Sequence, residues 1–322
     1  MRPLNFSDRM ARILGFLDHA SPIRLNQPIV RMIFGMHLLA LLACIPWLHS
    51  WSGMAMAFAG LYLFGTLGIN IGFHRLLTHR GFECPRWLEH TLTVIGVCCW
   101  QGTPLNWVAV HRLHHQHSDE TPDPHSPRAG FFWSHMGWFL IDDPTVYNVS
   151  LYDRYARDLM GDRFYKQLER PYIFRRIQAA QWAAFLLSGA AIGALTGEDL
   201  LWDTVQMSLS GLVWGVFVRT VAVWHITWSV NSLSHIWGYR NYTTQDDSKN
   251  NWLVGLVSNG EGWHNNHHAE PRSVKNGHRW WELDVSYLTV LGWSWIGLTW
   301  NLVTPKLKHK TDPQTDEQRK AA

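Results

Sequence analysis

The sequence predicts an all-α integral membrane protein, with four transmembrane helices in two hairpins and a helical cap on the cytoplasmic side. Three observations predict this class. Apolar residues are concentrated in four blocks, each close to the roughly 20 residues that a helix needs to cross a bilayer. Only 16% of the 322 residues are charged. Twenty tryptophans fit a membrane interface, where the ring lies in an apolar layer and its N–H meets water.

The four predicted spans pair through two short connections, HSWSG and GEDLLWD. The spans cover residues 29–48, 51–73, 179–196 and roughly 205–230. The second and third contain no charged residue, the first has Arg31 at its edge, and the fourth contains Arg219 and His225. An ionisable group inside a membrane is costly and usually faces protein or a site. Arg219 and His225 are therefore expected to face protein or a site, and the fourth span has the weakest apolar signal of the four.

Arginines predict which segments face the cytoplasm. They occur in the N-terminal segment, in the long segment 74–178 and in the tail after residue 238. The connection GEDLLWD has three acidic residues and no lysine or arginine. The positive-inside rule therefore places both termini and every histidine cluster on the cytoplasmic side. In a bacterium, this membrane would be the inner membrane.

One domain is predicted between two polar ends. Residues 1–28 form a cytoplasmic N-terminal segment, 29–305 the membrane domain and 306–322 a polar, disordered tail. Within the domain, the tryptophan-rich stretch 286–303 favours a helix lying in the membrane interface. The net charge of +3 is too small to indicate a nucleic-acid partner. The four cysteines form no C-x-x-C pair, which predicts neither a disulfide framework nor a thiolate metal site.

Three histidine clusters follow the predicted spans. HRLHHQHSD, residues 111–119, and GWHNNHH, residues 262–268, share the spacing H-x-x-H-H. Positions i, i+3 and i+4 share a helix face, so each motif aims three imidazoles the same way. In the looser cluster FHRLLTH, His74 and His79 are five residues apart, which a regular helix would separate by well over a right angle. We therefore expect the second span to unwind there.

Nine histidines are the predicted metal ligands. They are the eight cluster residues and His235, namely His74, His79, His111, His114, His115, His235, His264, His267 and His268. A zinc site takes about four ligands, so nine imidazoles fit two metals. Imidazole suits iron, copper, nickel and zinc alike, which leaves the element open. The other histidines, among them His37, His125, His135 and His225, are expected to pack or to form hydrogen bonds.

The clusters HRLLTH, HRLHHQHSDETPDPH and EGWHNNHH, in this order and separated by two hairpins, resemble those of the membrane fatty-acid desaturases. The flanks GFFWSHMGW and GEGWHNNHH are similar to the bacterial and cyanobacterial Δ9 acyl desaturases and to stearoyl-CoA desaturase. The resemblance covers about residues 30–300. Three clusters with this order and spacing form a specific signature.

The resemblance implies an O₂-dependent enzyme that introduces a cis double bond, at Δ9, into a saturated acyl chain during unsaturated fatty acid biosynthesis. The nine histidines would hold two Fe²⁺ ions, with Asn231 reaching one of them through water, and the di-iron centre itself would be catalytic. Electrons would come from an external ferredoxin, rubredoxin or cytochrome b5 type donor. The implied substrate contacts are Gln101, Trp107 and Thr227 beside the metals, and Tyr62 and Thr66 near the far end of a tunnel.

Two departures from the acyl-CoA enzymes bear on the acyl carrier. Ala109 and Val110 stand where those enzymes have an Arg-Asp pair. Asp142 and Asp143 stand where basic residues are expected. The phosphates of a CoA head group prefer cations. We therefore expect an acyl chain esterified to membrane lipid in preference to acyl-CoA.

Two other functions fit parts of the sequence. The same histidine layout serves di-iron hydroxylases of hydrocarbons and lipids, which stop after inserting one oxygen, so product analysis separates them from desaturases. A metal-binding or transport membrane protein without catalysis would instead place its ligands within the membrane plane. The histidines here lie at predicted cytoplasmic helix ends, which favours an enzyme.

Overall fold

The chain is mostly helical in the part that a computed structural model describes, which comprises residues 24–143, 146 and 148–306. Backbone pairing between extended segments is limited there to isolated bridges. This confirms the predicted helical class. Most of the predicted N-terminal segment 1–28 and nearly all of the predicted tail 306–322, including His309, lie outside the described residues.

Twelve helices are labelled in chain order. They are α1 (Gln27–Ala40), α2 (Trp51–Thr78), α3 (Arg86–Val97), α4 (Pro104–Gln116), α5 (Val149–Tyr155), α6 (Arg157–Met160), α7 (Arg163–Leu168), α8 (Pro171–Thr196), α9 (Leu200–Ile236), α10 (Trp252–Val257), α11 (His264–Ala269) and α12 (Val285–Trp295). Shorter helical turns occupy Leu41–Cys44, Pro46–Leu48, Pro127–Ala129, Trp133–Gly137 and Trp138–Leu140.

Four helical segments in the described part of the chain are long and apolar enough to cross a membrane. They are Gln27–Cys44, Trp51–Thr78, Pro171–Thr196 and Leu200–Ile236. Each overlaps one of the four predicted spans, which confirms four long apolar helices at those positions. The last segment runs without a break through Arg219, whose side chain is fully buried, and His225, whose side chain is partly buried.

Glycines bring α8 and α9 into close contact. A Cβ atom on Gly193 would lie 2.3 Å from the carbonyl oxygen of Asp203, and one on Gly189 would lie 2.2 Å from that of Met207. No side chain fits into such a gap. Small residues four apart let helix backbones approach closely inside a membrane. This contact fixes α9, which carries one of the predicted metal ligands.

The C-terminal end of α3 is buried and capped by side chains from α8 and α9. The last carbonyls of a helix have no donors within it, and inside a membrane each unsatisfied group costs several kcal/mol. Four side chains donate to the carbonyls of residues 97–99 at N···O distances of 2.7–3.3 Å, namely those of Gln178, Gln181, Arg219 and Trp224. The polar residues of the spans thereby anchor the loop that follows α3.

Candidate metal centre

Nine histidines converge where α2, α4, α9 and α11 meet. They divide into two groups, and within each group the candidate ligand atoms lie within 4.8 Å of one another. Site A consists of His74, His79, His111, His115 and His267, and site B consists of His114, His235, His264 and His268. These five and four residues are the nine histidines predicted from the sequence.

Each H-x-x-H-H motif contributes to both sites. Site A takes His111 and His115 from α4 and His267 from α11, and site B takes His114 from α4 and His264 and His268 from α11. Positions i+3 and i+4 differ by about 100° around a helix axis, so the imidazoles of one motif can point toward two neighbouring metal sites. The expectation that each motif aims all three imidazoles the same way was therefore too simple.

The first two histidines lie at the end of α2, where residues Leu61–Thr78 are π-helical. The backbone N–H of His79 donates to the carbonyl of His74 at 3.1 Å, an i→i+5 hydrogen bond. This wider turn brings residues five apart onto one side, with the two ring centroids 4.7 Å apart. The prediction that the second span unwinds at His74 was wrong. The chain stays helical through Thr78, and the wider turn brings His74 and His79 to the same side of it.

Four carboxylates accept hydrogen bonds from the Nδ1 atoms of four of these histidines. The pairs are Glu261 with His74 (2.7 Å), Asp123 with His114 (2.9 Å), Asp119 with His235 (3.1 Å) and Asp246 with His268 (2.7 Å). An ionised carboxylate only accepts, so Nδ1 of each neutral ring carries the proton and Nε2 keeps a lone pair. Among the described residues, the buried Nε2 atoms of His114 and His235 have no hydrogen-bond partner. Lone pairs fixed in this way are ready to bind metal.

The distances between ring nitrogens also fit metal binding. Nε2 of His267 lies 3.0 Å from Nε2 of His74 and 2.9 Å from Nε2 of His115. Nε2 of His264 lies 3.1 Å from Nε2 of His268. Two nitrogens bound at right angles to one metal, each at about 2.1 Å, would be about 3.0 Å apart. The donor sets therefore fit two transition-metal ions.

Burial sets the protonation state of three of the candidate ligands. Burial, reinforced by neighbouring histidines, holds the pKa of His111, His115 and His264 well below its ordinary value. Burial raises the pKa of Glu261, but the charge of Arg75 and the hydrogen bonds from Arg75 and His74 outweigh it and lower that pKa to about 2. At neutral pH these three imidazoles are neutral and the Glu261 carboxylate is ionised, as metal binding requires. Burial lowers the pKa of His114, but the negative charge of Asp123 outweighs it and leaves that pKa above its ordinary value.

The carboxylates were missed when the sequence was considered alone. Asp119 and Asp123 lie in HSDETPD directly after the second motif, and Glu261 lies in GEGW directly before the third. Acidic residues that close to histidine motifs were a usable signal for these three. Asp246 has no such signal, since only the folded chain brings it to His268.

A cavity of about 260 Å³ opens beside the two sites, with His74, His111 and His264 in its wall. The predicted substrate contacts Gln101, Trp107 and Thr227 line this cavity, and so does Asn231. Nε2 of Gln101 donates to the Thr227 hydroxyl at 3.0 Å, and the Trp107 indole N–H lies 3.5 Å from Oε1 of Gln101. The polar groups of these three side chains are hydrogen-bonded to one another, and the side chains form a wall of the cavity beside the histidines.

Tyr62 and Thr66 do not line this cavity. The half-exposed Tyr62 has its hydroxyl 2.8 Å from that of Thr289 on α12, and the buried Thr66 accepts a hydrogen bond of 2.8 Å from Asn259. The described cavity therefore does not support the assignment of these two residues to the far end of a tunnel. In the π-helical part of α2, the residues that face the cavity are 69, 70 and 74.

Other histidines lie near the centre or form a separate chain. His125 is buried beside His114, with ring centroids 4.3 Å apart, and lines the cavity. His225 joins His37 and His135 through nitrogen–nitrogen contacts of 3.0 Å each, outside both sites. These contacts agree with the expected packing and hydrogen-bonding roles.

Comparison with known proteins relates this geometry to a family. A family model described as fatty acid desaturase matches residues 45–285. The chain is 42% identical over 268 residues to an sn-1 stearoyl-lipid 9-desaturase of Anabaena variabilis, covering 83% of this chain and 90% of that protein. It is 39% identical over 290 residues to an sn-2 palmitoyl-lipid 9-desaturase of Nostoc, covering 88% and 94%. An acyl-CoA C20 Delta5-desaturase of Anemone leveillei is 35% identical over 282 residues, covering 87% and 83%.

Proposed function

The chain belongs to the fatty acid desaturase family and is accordingly an oxidoreductase, and from that premise we propose that it introduces a cis double bond at Δ9 into a saturated acyl chain of a membrane lipid. The observation that carries the proposal is the convergence of nine histidines beside a largely apolar cavity. Two of its relatives are named as acyl-lipid 9-desaturases.

Two iron ions would occupy the nine-histidine centre, five histidines at site A and four at site B. Asn231, which lines the cavity one turn before His235, would reach one of them through water. When bound, the irons would supply the O₂-dependent oxidation of an unactivated C–H bond, using two electrons from a ferredoxin, rubredoxin or cytochrome b5 type donor. The carboxylates contribute by fixing the ring tautomers and orientations before any metal enters.

The cavity wall would hold the acyl chain and exclude water. Trp107, Trp224 and Trp228 supply aromatic surface along it. Gln101 and Thr227 hydrogen-bond to each other, so their polar groups need no partner from an apolar chain. A site of this kind orients methylenes by shape and shields a reactive centre from bulk water.

The charges around the cavity support a lipid as the acyl carrier. No lysine or arginine is among the described residues that line it. At the start of the first span, Ile29, Met32 and Ile33 form part of the wall, and Val110 lies in it where the acyl-CoA enzymes carry a charged residue. The phosphates of a CoA head group would find no cation there. An esterified chain could enter from the bilayer beside α1.

The proposed arrangement in the membrane has two hairpins, α1 with α2 and α8 with α9. Residues 29–305 would form the membrane domain, with segments 1–28 and 306–322 in the cytoplasm. The arginine-rich segments and both metal sites would also face the cytoplasm, where a soluble electron donor could reach them. In a bacterium, the protein would be integral to the inner membrane.

Reconstitution tests the acyl carrier and the reaction together. Iron-loaded protein in vesicles of a stearoyl lipid, with a reduced ferredoxin system and O₂, is expected to form cis-9 oleoyl lipid faster than it converts stearoyl-CoA. Efficient turnover of stearoyl-CoA without action on the lipid would refute the proposed carrier. Hydroxylated chains as the main product would refute desaturation. The His115→Ala protein is the matched inactive control.

A further inference from the structure

The two metal sites differ in the charge that surrounds them. At site B, three of the four histidines have a carboxylate on Nδ1, supplied by Asp119, Asp123 and Asp246. At site A, one of the five histidines has such a partner among the described residues, supplied by Glu261. The sites are therefore unequal before any metal binds.

The carboxylate at site A already has a cationic partner. Arg75 donates to Oε1 of Glu261 from Nε at 2.9 Å and from Nη2 at 2.8 Å. The same guanidinium contacts Asp284 at 2.9 Å, and its side chain is only 1% exposed. The positive charge of Arg75 thus largely offsets the negative charge of Glu261, which therefore attracts a metal ion only weakly.

The carboxylates at site B have no such partner. Within the described residues, no lysine or arginine nitrogen lies within 4.0 Å of a carboxylate oxygen of Asp119, Asp123 or Asp246. Arg240 reaches only the backbone carbonyl of Asp246, at 2.9 Å, and Arg128 pairs with the neighbouring Asp247. Their side chains are 0%, 0% and 11% exposed, and they accept hydrogen bonds from backbone N–H groups, such as Asp247 N–H to Asp119 at 2.6 Å. Buried carboxylates without an ion-paired lysine or arginine are costly, so this arrangement favours a cation at the histidines between them.

We propose that site B binds its metal first and more tightly than site A, and that Asp119, Asp123 and Asp246 are the positioning residues that cause this difference. Site A offers one more imidazole, but that ligand is neutral. Site B offers two more carboxylates, and attraction between a dication and full negative charges is strong in a buried site. The inference rests on the proposed function only for the identity of the metal.

Single-site variants separate the two affinities. His111→Ala removes a ligand of site A and leaves site B complete, and His264→Ala does the reverse. The metal-free full-length proteins would be titrated in detergent with Zn²⁺, and anaerobically with Fe²⁺, against a chromophoric chelator. We expect His111→Ala to bind one metal at least about tenfold more tightly than His264→Ala, given the known effect of such carboxylate partners. Equal affinities, or tighter binding by His264→Ala, would overturn the inference.

Neutralising a carboxylate tests the cause. Asp246→Asn keeps an acceptor for His268 but removes the charge, and in the His111→Ala background it should weaken binding at site B by about 10–100-fold. In the His264→Ala background the same change should leave site A unaltered. Glu169→Gln, which neutralises a carboxylate that accepts from Thr103 and Leu105 away from the histidines, should change neither site.

The outcomes distinguish this inference from the proposed function. Equal weakening of both sites by Asp246→Asn would show a general structural role for Asp246 and would overturn the inference alone. A wild-type protein that binds neither Zn²⁺ nor Fe²⁺ would overturn the inference and the proposed function together. Sequential filling, with the tight site lost in His264→Ala, supports both.

Discussion

The position of one proton on each imidazole decides what the centre can bind. Where a carboxylate holds Nδ1–H, as Asp123 does for His114, Nε2 is left as a lone pair directed at the site. The same reasoning applies to His74, His235 and His268. Without these partners, either nitrogen could carry the proton, and a ring could present N–H to a metal in place of a lone pair. The carboxylates are therefore part of the metal centre although they are not ligands.

Removal of a single ligand is expected to abolish desaturation and to lower the bound iron. In His115→Ala, site A loses a nitrogen that lies 3.1 Å from Nε2 of His111 and 2.9 Å from Nε2 of His267. No neighbouring side chain can replace it. The control is His117→Ala, two residues along the chain, whose ring pairs with the exposed Glu120 outside both sites. Iron analysis and product assays measure the outcome.

The same loss is expected for His268→Ala at site B, whereas His309→Ala, outside the described residues, should be silent. If a variant lacking both H-x-x-H-H motifs kept its activity, a histidine-bound metal centre could not be the catalyst.

Acid should destabilise the metal-free protein. Burial first, and neighbouring histidines second, lower the pKa of His111, His115 and His264 below the unfolded value of about 6.5. As the pH falls below about 6.5, the unfolded chain takes up protons that the folded protein resists, so stability is complete above that pH and is lost below it. Each such histidine contributes up to about 1.4 kcal/mol per pH unit.

We therefore expect the Tm of the metal-free protein to fall between about pH 7 and about pH 5. Thermal unfolding followed by tryptophan fluorescence in detergent is the measurement. A Tm that stays constant or rises over this range would contradict the protonation states assigned to the centre.

Sequence reasoning reached the histidines because their spacing is local, and it failed where contacts depend on the tertiary fold. The H-x-x-H-H repeat was visible without any structure. The pairing of Asp246 with His268, across 22 residues, was not. The assignment of Thr66 to the far end of a tunnel stays a prediction, and it rested on counting residues along a regular α-helix. The π-helical segment of α2 changed which residues share a face with His74.

Helices position the metal centre through two local departures from regular packing. The wide turns of Leu61–Thr78 place two histidines on one side of α2. The glycines of α8 let α9 approach it backbone to backbone. The four apolar spans were predictable from composition, since length and hydropathy suffice for that. The π-helical turns were not, because hydrogen-bond register leaves no periodic signal in a helix that is apolar all round.

A methyl group at the contact between α8 and α9 should destabilise the fold. In Gly193→Ala, the new Cβ would lie 2.3 Å from the backbone oxygen of Asp203, which cannot move without displacing α9. We expect a loss of about 1–3 kcal/mol and a lower Tm. The matched control is Gly35→Ala in α1, where a Cβ would meet nothing within 4 Å. Equal Tm values for the two variants would show that the contact is not tight.

The whole molecule combines apolar helices with a polar, histidine-lined centre at their ends. Both H-x-x-H-H motifs lie outside the four apolar segments, while His74 and His235 lie at the ends of two of them. An enzyme that oxidises membrane lipid needs this combination, because the acyl chain arrives from the bilayer and the electrons arrive from water. The sequence predicts this division through its charges.

Accessibility of engineered cysteines tests the sidedness. In a variant without Cys44 and Cys84, Glu198→Cys lies in the short connection between α8 and α9, and Lys166→Cys lies on α7. A membrane-impermeant maleimide added to intact bacterial spheroplasts should label the first and should label the second only after permeabilisation. The opposite pattern would place the metal centre on the outer side and would exclude a cytoplasmic electron donor.

The position of the double bond in membrane lipids is the most direct test of the central claim. The chain would be expressed in a host that lacks desaturases but supplies a suitable electron donor, and its lipids would be analysed by mass spectrometry after derivatisation of the double bonds. We predict cis-9 monounsaturated chains esterified in lipid, formed only with O₂ and absent with His115→Ala. Saturated lipids alone, hydroxylated chains, or a double bond at another carbon would contradict the account.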